Sequence, residues 1–246
     1  MAIRIPTPPV PHDLLVPQPA PAPADRRRQP LPTTLHVGSG KSFRAEWLNL
    51  DVSPMWRPDV VWDLNTPLPA ARDGRECGTV AVPSERFGTV ELGPRMFREV
   101  VAIDVLEHIR ELTTAMTTIL HLLEDGGVLR ASVPYELSLG AWCDPTHVRA
   151  FNERSWVYYC EWAWYLGWST HHFALRKLEF EPSAFGDELI ARGLGKDQIV
   201  RTPRAIDAMH VELVRTPMSA ADRSAVQAMR TGARRSPPDA DPGHRP

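Results

Sequence analysis

The chain has 246 residues, of which 43% are hydrophobic and 24% are charged, a balance typical of a globular domain with a buried core. Its formal net charge of -2 offers no basic surface to a polyanion, so a nucleic-acid substrate is not expected. The three cysteines form no C-x-x-C pair, which argues against a disulfide framework or a cysteine zinc site, and no apolar stretch is long enough to cross a membrane, so we expect a cytoplasmic protein.

The two ends of the chain differ in composition from its middle. Residues 1–32 are dominated by proline and alanine, with three consecutive arginines at 26–28, and residues 218–246 are rich in Ala, Arg, Asp and Pro. Such segments lack the apolar periodicity that would offset the entropic cost of ordering them. The sequence therefore predicts a proline-rich disordered arm (1–32), one folded domain (33–217) and a disordered tail (218–246).

Within the domain, short apolar runs alternate with segments of helical spacing, the pattern of a parallel sheet with crossover helices. Strands are predicted at 35–37, 47–52, 60–64, 100–103 and 127–133, with a helix over 109–123 between the last two. Two later strands, HFALRKLEF and AMHVELV, flank a short helix within 185–194. The predicted fold class is α/β and Rossmann-like, with a mostly parallel seven-stranded sheet, a C-terminal antiparallel hairpin and helices on both faces.

Small and acidic residues follow the predicted strands. The loop Gly38–Ser39–Gly40 follows the first strand, Asp51 ends the second, Asp63 and Leu64 end the third, and Asp104 follows the fourth. Ligands of open α/β sheets lie outside these carboxyl ends, where glycines let the backbone approach a ligand and a carboxylate can accept two ribose hydroxyls. Each residue alone is equally explained as a turn or a helix cap, but their order is what an adenosine-bearing cofactor requires.

Six segments resemble, in order, the class I (Rossmann-like) S-adenosylmethionine-dependent methyltransferases: LHVGSG, WLNLDVS, DVVWDLNTPLP, VVAIDVLEHI, LLEDGGVLRASVP and DPTHVRAFNERSW. The resemblance covers about residues 35–156 and implies S-adenosylmethionine as the cofactor. It places the methionine part at Gly38, Ser39 and Gly40, the ribose at Asp51, the adenine at Asp63 and Leu64, and the sulfonium side at Asp104.

The chain departs from that family in two places. Only about a dozen residues separate Gly38 from Asp51, against roughly 20 in a dinucleotide fingerprint, which predicts a first crossover helix of only a turn or two. Residues 72–98 are longer than usual and contain GTVAV and GTVEL, which could pair as an extra hairpin.

The same glycine loop partly matches two other nucleotide-binding motifs, the P-loop and the dinucleotide loop. Residues 38–42 end in GKS as a P-loop does, but that motif needs a glycine where Leu35 stands. A dinucleotide loop would need its third glycine at Phe43. A P-loop-like nucleotide-binding enzyme therefore remains only an alternative, beside a cofactor-binding fold without catalysis.

Histidines follow the fourth and fifth strands, on the side where a methyl acceptor would enter. His147 is the candidate base or acceptor-positioning residue, and His108 is the second catalytic candidate. The run 104–108 resembles the E-x-x-E-H run of ubiquinone-biosynthesis O-methyltransferases, which holds a divalent cation. Glu107 and His108 are also explained as the start of a helix, and the prediction assigns no metal.

The density of rings over 156–168 is compatible with an aromatic lid, a core helix or a homodimer interface. The predicted function is methyl transfer from S-adenosylmethionine to a hydroxyl, less readily an amine, of a small molecule such as a sugar or secondary metabolite. The alternative is a methyltransferase acting on a protein or nucleic acid that is docked by the N-terminal arm.

Overall fold

The computed structural model describes residues 30–69 and 77–230. The chain divides into two units, Met1–Pro30 and Leu31–Pro246, and every element described below lies in the second. Nearly all of the predicted arm, and residues 231–246 of the predicted tail, lie outside the described residues. No helix in the described ranges combines the length and apolar character needed to cross a membrane.

The described residues contain nine strands and six α-helices. The strands are β1 (Thr34–Val37), β2 (Leu48–Asp51), β3 (Val60–Val61), β4 (Val80–Ser84), β5 (Gly88–Leu92), β6 (Phe97–Ile103), β7 (Leu123–Pro134), β8 (His171–Pro182) and β9 (Ile206–Pro217). The α-helices are α1 (Leu112–Leu122), α2 (Gly140–Cys143), α3 (Val157–Cys160), α4 (Ala184–Ala191), α5 (Lys196–Val200) and α6 (Ala220–Arg230). Short 3-10 helices cover Pro54–Trp56, Leu106–His108, Glu153–Trp156 and Ala163–Leu166.

Seven strands form one sheet in the order β3-β2-β1-β6-β7-β9-β8. Strands β3, β2, β1, β6 and β7 are parallel neighbours, whereas β9 is antiparallel to both β7 and β8. The predicted mostly parallel, seven-stranded Rossmann-like sheet and its C-terminal antiparallel pair are therefore confirmed. The strand order reverses at β1, which places a crevice outside the carboxyl ends of β1 and β6.

The main core lies where the sheet meets α1 and the aromatic segment, residues 156–168. In β7, the alternate residues Leu129, Ala131 and Val133 are buried while Arg130 between them is exposed. The same two-residue period buries Met209, Val211 and Leu213 of β9. On α1, the buried side chains recur at helical spacing. The strands and this helix could therefore be predicted from the spacing of apolar residues in the sequence.

The insertion before β6 is a separate antiparallel hairpin, β4–β5, in which Val82 pairs with Val90. Both of these valines are buried in the main core. At the hairpin turn, Arg86 forms a salt bridge with Asp59 at 3.4 Å and donates to the carbonyl of Trp47. The predicted hairpin is thus confirmed, and Arg86 links it to the segments before β2 and β3.

The first crossover contains no helix among its described residues, so the predicted turn or two of helix is wrong. Asn49 explains the difference, because its side chain binds the backbone groups that a helix would use. Its Nδ2 donates to the carbonyls of Arg44 and Trp47, and its Oδ1 accepts from the N–H of Arg44. The segment is therefore held as a compact loop.

The predicted domain boundary at Pro217 is wrong for the residues that follow it directly. Residues 220–230 form α6, and Met218 and Val226 are buried in the main core. Composition alone hid this helix, because its apolar face is narrow and alternates with Arg, Asp and Gln.

Candidate active site

The loop after β1 lies directly against the turn after β6. Gly38 has a φ of +63°, and a Cβ built on it would stand 2.2 Å from Cγ2 of Val105. A side chain at Gly38 would therefore collide with the β6 turn as well as strain the backbone. This contact brings the glycine loop and Asp104 to the same end of two neighbouring strands.

Asp51 holds the glycine loop at the carboxyl end of β2. Its Oδ2 accepts from the N–H of Gly40 and its Oδ1 accepts from the N–H of Ser53, both at 2.8 Å. The residue is 7% exposed. Each carboxylate oxygen can accept a second hydrogen bond, so the group can tie the loop and still receive a ligand hydroxyl.

Ser39, between the two glycines, is buried, and its hydroxyl has no hydrogen-bond partner among the described residues. Its N–H donates to the carbonyl of Leu50. Burying a hydroxyl without a hydrogen-bond partner costs free energy, and a ligand atom that forms a hydrogen bond with it would offset that cost.

The segment after β3 forms a turn rather than a longer strand. Oδ1 of Asp63 accepts from both the N–H and the side-chain amide of Asn65. Oδ1 of Asn65 in turn accepts from the N–H of Glu111, next to α1. Asp63 is half-buried and Leu64 is buried, and the turn that holds them directly follows Trp62, whose N–H donates to the carbonyl of Asp51.

Asp104 is exposed and has a φ of +50°, a conformation that side-chain-bearing residues rarely adopt. Its N–H donates to the carbonyl of Ser132 on β7. Desolvation by the surrounding atoms raises the pKa of its carboxyl, and the nearby His210, His108 and His147 oppose that shift. Asp104 therefore lies near three histidines, at the end of the strand that pairs with the one preceding the glycine loop.

Glu107, His108 and His147 converge beyond Asp104. One potential ligand atom from each of the three lies within 4.8 Å of the other two. The imidazole rings of the two histidines are 4.6 Å apart, and Nε2 of His147 is 4.0 Å from Oε1 of Glu107. Glu107 is 1% exposed, and burial raises the pKa of its carboxyl to about 7.

The loop that carries His147 is pinned to the 3-10 helix that carries Glu107 and His108. The N–H of Val148 donates to the carbonyl of Glu107, and Nη2 of Arg149 donates to the carbonyls of Ile109 and Arg110 at 2.7 Å. These bonds join residues about 40 positions apart in sequence. They hold the three side chains together independently of any ligand.

The sequence missed several residues at this edge. Trp142 on α2 is 66% exposed, close in sequence to Ala141, whose carbonyl contacts His147. On the neighbouring strands, Nε2 of His210 lies 2.8 Å from Oε2 of Glu181. A histidine inside the apolar alternation of AMHVELV was the available sequence signal for His210.

The aromatic segment divides between core and surface. Trp156, Tyr159 and Trp168 are buried, and Nε1 of Trp168 donates to Thr117 on α1. The exposed members, which contact one another ring to ring, are Tyr158, Trp162, Trp164 and Tyr165. The core interpretation is therefore right for the buried half, and the homodimer interface stays a prediction for the exposed half.

The loop geometry opposes a P-loop or a dinucleotide loop. Both motifs aim free backbone N–H groups at phosphates from the start of a helix. Here the N–H of Gly40 is bound to Asp51, and no helix is described between Gly38 and β2. The P-loop alternative is therefore wrong for this chain.

No protein-family model matches the sequence, and no curated protein matches it. Among solved structures, the chain is 16% identical to the (4+2)-cyclase SpnF, over 76% of this chain and 74% of that chain, with a TM-score of 0.45. It is 14% identical to an S-adenosylmethionine dependent methyltransferase from Mesorhizobium loti, over 74% and 90% of the two chains, with a TM-score of 0.42. A third, from Archaeoglobus fulgidus, is 12% identical over 75% and 86%, with a TM-score of 0.41. Because all three scores are below 0.5, the fold assignment rests on the strand order and directions.

Proposed function

We propose that this protein transfers a methyl group from S-adenosylmethionine to a hydroxyl of a small molecule. The observation that carries the proposal is the convergence of the glycine loop, Asp51 and Asp104 at the point where the strand order reverses. A polar cluster that could serve the acceptor lies directly beyond Asp104. Cofactor and acceptor groups on one edge of a sheet are what a group transfer requires.

The residues at the ends of β1, β2, β3 and β6 support S-adenosylmethionine as the cofactor. The methionine part would lie along Gly38, Ser39 and Gly40, where the buried hydroxyl of Ser39 lacks a partner among the described residues. The ribose hydroxyls would donate to Asp51, whose oxygens retain acceptor capacity. Asp63 and Leu64 would border the adenine, and Asp104 would face the sulfonium, whose positive charge its carboxylate would stabilise.

The bound cofactor supplies an electrophilic methyl carbon, so the protein has two tasks, alignment and removal of the acceptor proton. Transfer of that methyl group to the acceptor oxygen would leave the electron pair of the carbon–sulfur bond on sulfur, so S-adenosylhomocysteine would be the leaving group. His147, with His108 beside it, would accept the hydroxyl proton or position the hydroxyl. Trp142 and Leu139 are exposed nearby and could contact an apolar part of the acceptor.

The central test is a calorimetric titration of the full chain with S-adenosylmethionine, S-adenosylhomocysteine, ATP and NAD. We expect the first two to bind and the nucleotides to bind weakly or not at all. Binding of ATP in preference to S-adenosylmethionine would refute the proposal.

The ribose contact is tested by Asp51→Ala, which removes a charged acceptor. We expect cofactor binding to weaken by about 1.5–3 kcal/mol. The matched control is Asp59→Asn, because Asp59 is equally buried at 5% exposure but precedes β3 and bonds to Asn49. Both variants should lose stability, since each disrupts buried hydrogen bonds, but only Asp51→Ala should lose affinity. Equal affinities in the two folded variants would contradict the ribose assignment.

A further inference from the structure

We infer that Glu107, His108 and His147 form a divalent-metal site. The sequence pattern suggests a cation on Asp104, Glu107 and His108, and the prediction assigns none. In the structure, the described groups that converge are instead Glu107, His108 and His147, with ligand atoms within 4.8 Å of one another. The third ligand thus comes from the loop after β7, which no local spacing pattern indicates.

The Glu107 carboxyl is buried, and Nε2 of His147 lies 4.0 Å from its Oε1, beyond hydrogen-bond distance. Glu107 is 1% exposed, and neither of its side-chain oxygens has a hydrogen-bond partner among the described residues. A buried charged group needs a partner, because its lost hydration is otherwise not replaced. A cation between Glu107 and the two imidazoles supplies that partner.

The hydrogen bonds of both histidines leave Nε2 as the nitrogen with a free lone pair. Nδ1 of His147 is 3.0 Å from the carbonyl of Ala141, which can only accept, so Nδ1 carries the proton. Nδ1 of His108 is 2.9 Å from Oγ1 of Thr146, whose hydroxyl donates to Asp144, so this Nδ1 also donates. Hydrogen bonds of this kind, made by the nitrogen opposite the metal, fix the tautomer of metal-binding histidines.

Two imidazoles and one carboxylate favour zinc, or a similar transition metal, over magnesium or calcium, which prefer oxygen ligands. Zinc–nitrogen and zinc–oxygen bonds are about 2.0–2.2 Å long, so the ligands of one tetrahedral ion are roughly 3.3–3.6 Å apart, and side-chain rotation would bring these three groups to that spacing. Three protein ligands leave a fourth position open. If the proposed function holds, the acceptor hydroxyl occupies it, and the cation lowers the pKa of that hydroxyl. His147 then positions the acceptor through the metal.

The site is tested on the full chain after EDTA treatment and dialysis. We expect calorimetric titration with zinc chloride to show one equivalent bound, with magnesium chloride far weaker, and cobalt chloride to give a visible absorption band of low-symmetry coordination. His147→Ala and Glu107→Gln should each weaken zinc binding more than about tenfold, and Thr146→Val should weaken it about tenfold through His108. His172→Ala is the matched control, since Nδ1 of this half-buried histidine also binds a backbone carbonyl, that of Cys160.

An unchanged zinc affinity in folded Glu107→Gln, or an equal loss in His172→Ala, would overturn the proposal, as would absence of zinc binding by the EDTA-treated chain. If His147→Ala does not fold, Glu107→Gln and Thr146→Val decide the question. Titration of the EDTA-treated chain with S-adenosylmethionine separates the two proposals, because the cofactor seat does not include the metal ligands. Cofactor binding without zinc binding would refute the metal site alone.

Discussion

Gly38 and Gly40 share a left-handed backbone but differ in what surrounds them. A Cβ on Gly38 would meet Val105 at 2.2 Å, whereas the nearest atom to a Cβ on Gly40 is 3.9 Å away. Gly40→Ala should therefore reduce the unfolding free energy by only about 1–2 kcal/mol, the cost of holding a residue with a side chain in the left-handed conformation. Gly38→Ala should reduce the unfolding free energy by about 1–3 kcal/mol more, because the added carbon collides with the turn after β6.

Urea denaturation of the two variants, with Gly38→Ala/Val105→Ala as a third, measures this difference. Shortening Val105 removes the closest clash, so the double variant should be more stable than the sum of its single losses predicts. Equal losses in the two glycine variants would show that the β1 loop is not packed against the turn after β6.

At the level of single residues, the sequence predicted what local order determines. Gly38, Asp51 and Asp104 were recognisable because each directly follows or ends an apolar run, and strand ends converge in a parallel sheet. The approach of His147 to Glu107 was not predictable, because it depends on a loop pinned by Val148 and Arg149. Backbone contacts across 40 positions leave no spacing pattern.

At the level of elements, strands and helices with a strong apolar period were predicted well and the weakly patterned ones were not. β7 and β9 alternate cleanly, but each extends beyond its apolar run through backbone pairing, β7 with β6 and β9 with β8. The first crossover was predicted as a short helix, since composition cannot show that Asn49 would bind its backbone groups. α6 was missed because its apolar side is narrow.

Helix α6 provides the element-scale prediction. Val226 is buried in the main core, while Ser224 on the same helix is exposed. Val226→Ala should reduce the unfolding free energy by about 1–3 kcal/mol, because it removes buried methyl groups and leaves a cavity. Ser224→Ala should change it by less than about 0.5 kcal/mol. Urea denaturation of both variants measures this difference. An unchanged unfolding free energy in Val226→Ala would show that α6 does not pack on the core, as the prediction of a disordered tail had it.

At the scale of the whole molecule, the order of the sequence motifs was sufficient to predict the sheet. Right-handed crossovers between parallel strands leave few arrangements for five short strands followed by a hairpin. The β4–β5 hairpin does not disturb that order, since among the described residues its two strands pair with each other alone, and it packs on the main core. The candidate acceptor groups were not predictable in the same way, because the position of His147 depends on a loop pinned by distant backbone contacts.

Deletion of the N-terminal arm distinguishes a small-molecule acceptor from a macromolecular one. The described sheet and its core lie entirely within Leu31–Pro246, so deletion of residues 1–30 should leave both the unfolding free energy and the affinity for S-adenosylmethionine unchanged within about 0.5 kcal/mol. Both the full and the shortened chain, incubated with a cell extract and methyl-labelled cofactor, should place label in the fraction that passes a low-mass filter. This follows if the polar cluster and Trp142 serve the acceptor as proposed, since all of these residues lie within Leu31–Pro246.

The alternative, in which the arm docks a protein or nucleic acid, gives the opposite distribution. Label would then appear in macromolecules with the full chain and fall when residues 1–30 are removed, although cofactor affinity stays the same. A third variant with Arg26, Arg27 and Arg28 replaced by glutamine separates charge from length, since docking of a polyanion should depend on those three charges. The formal net charge of -2 offers no other general attraction for a polyanion, so salt-sensitive macromolecular labelling that depends on the arginines would replace the small-molecule proposal.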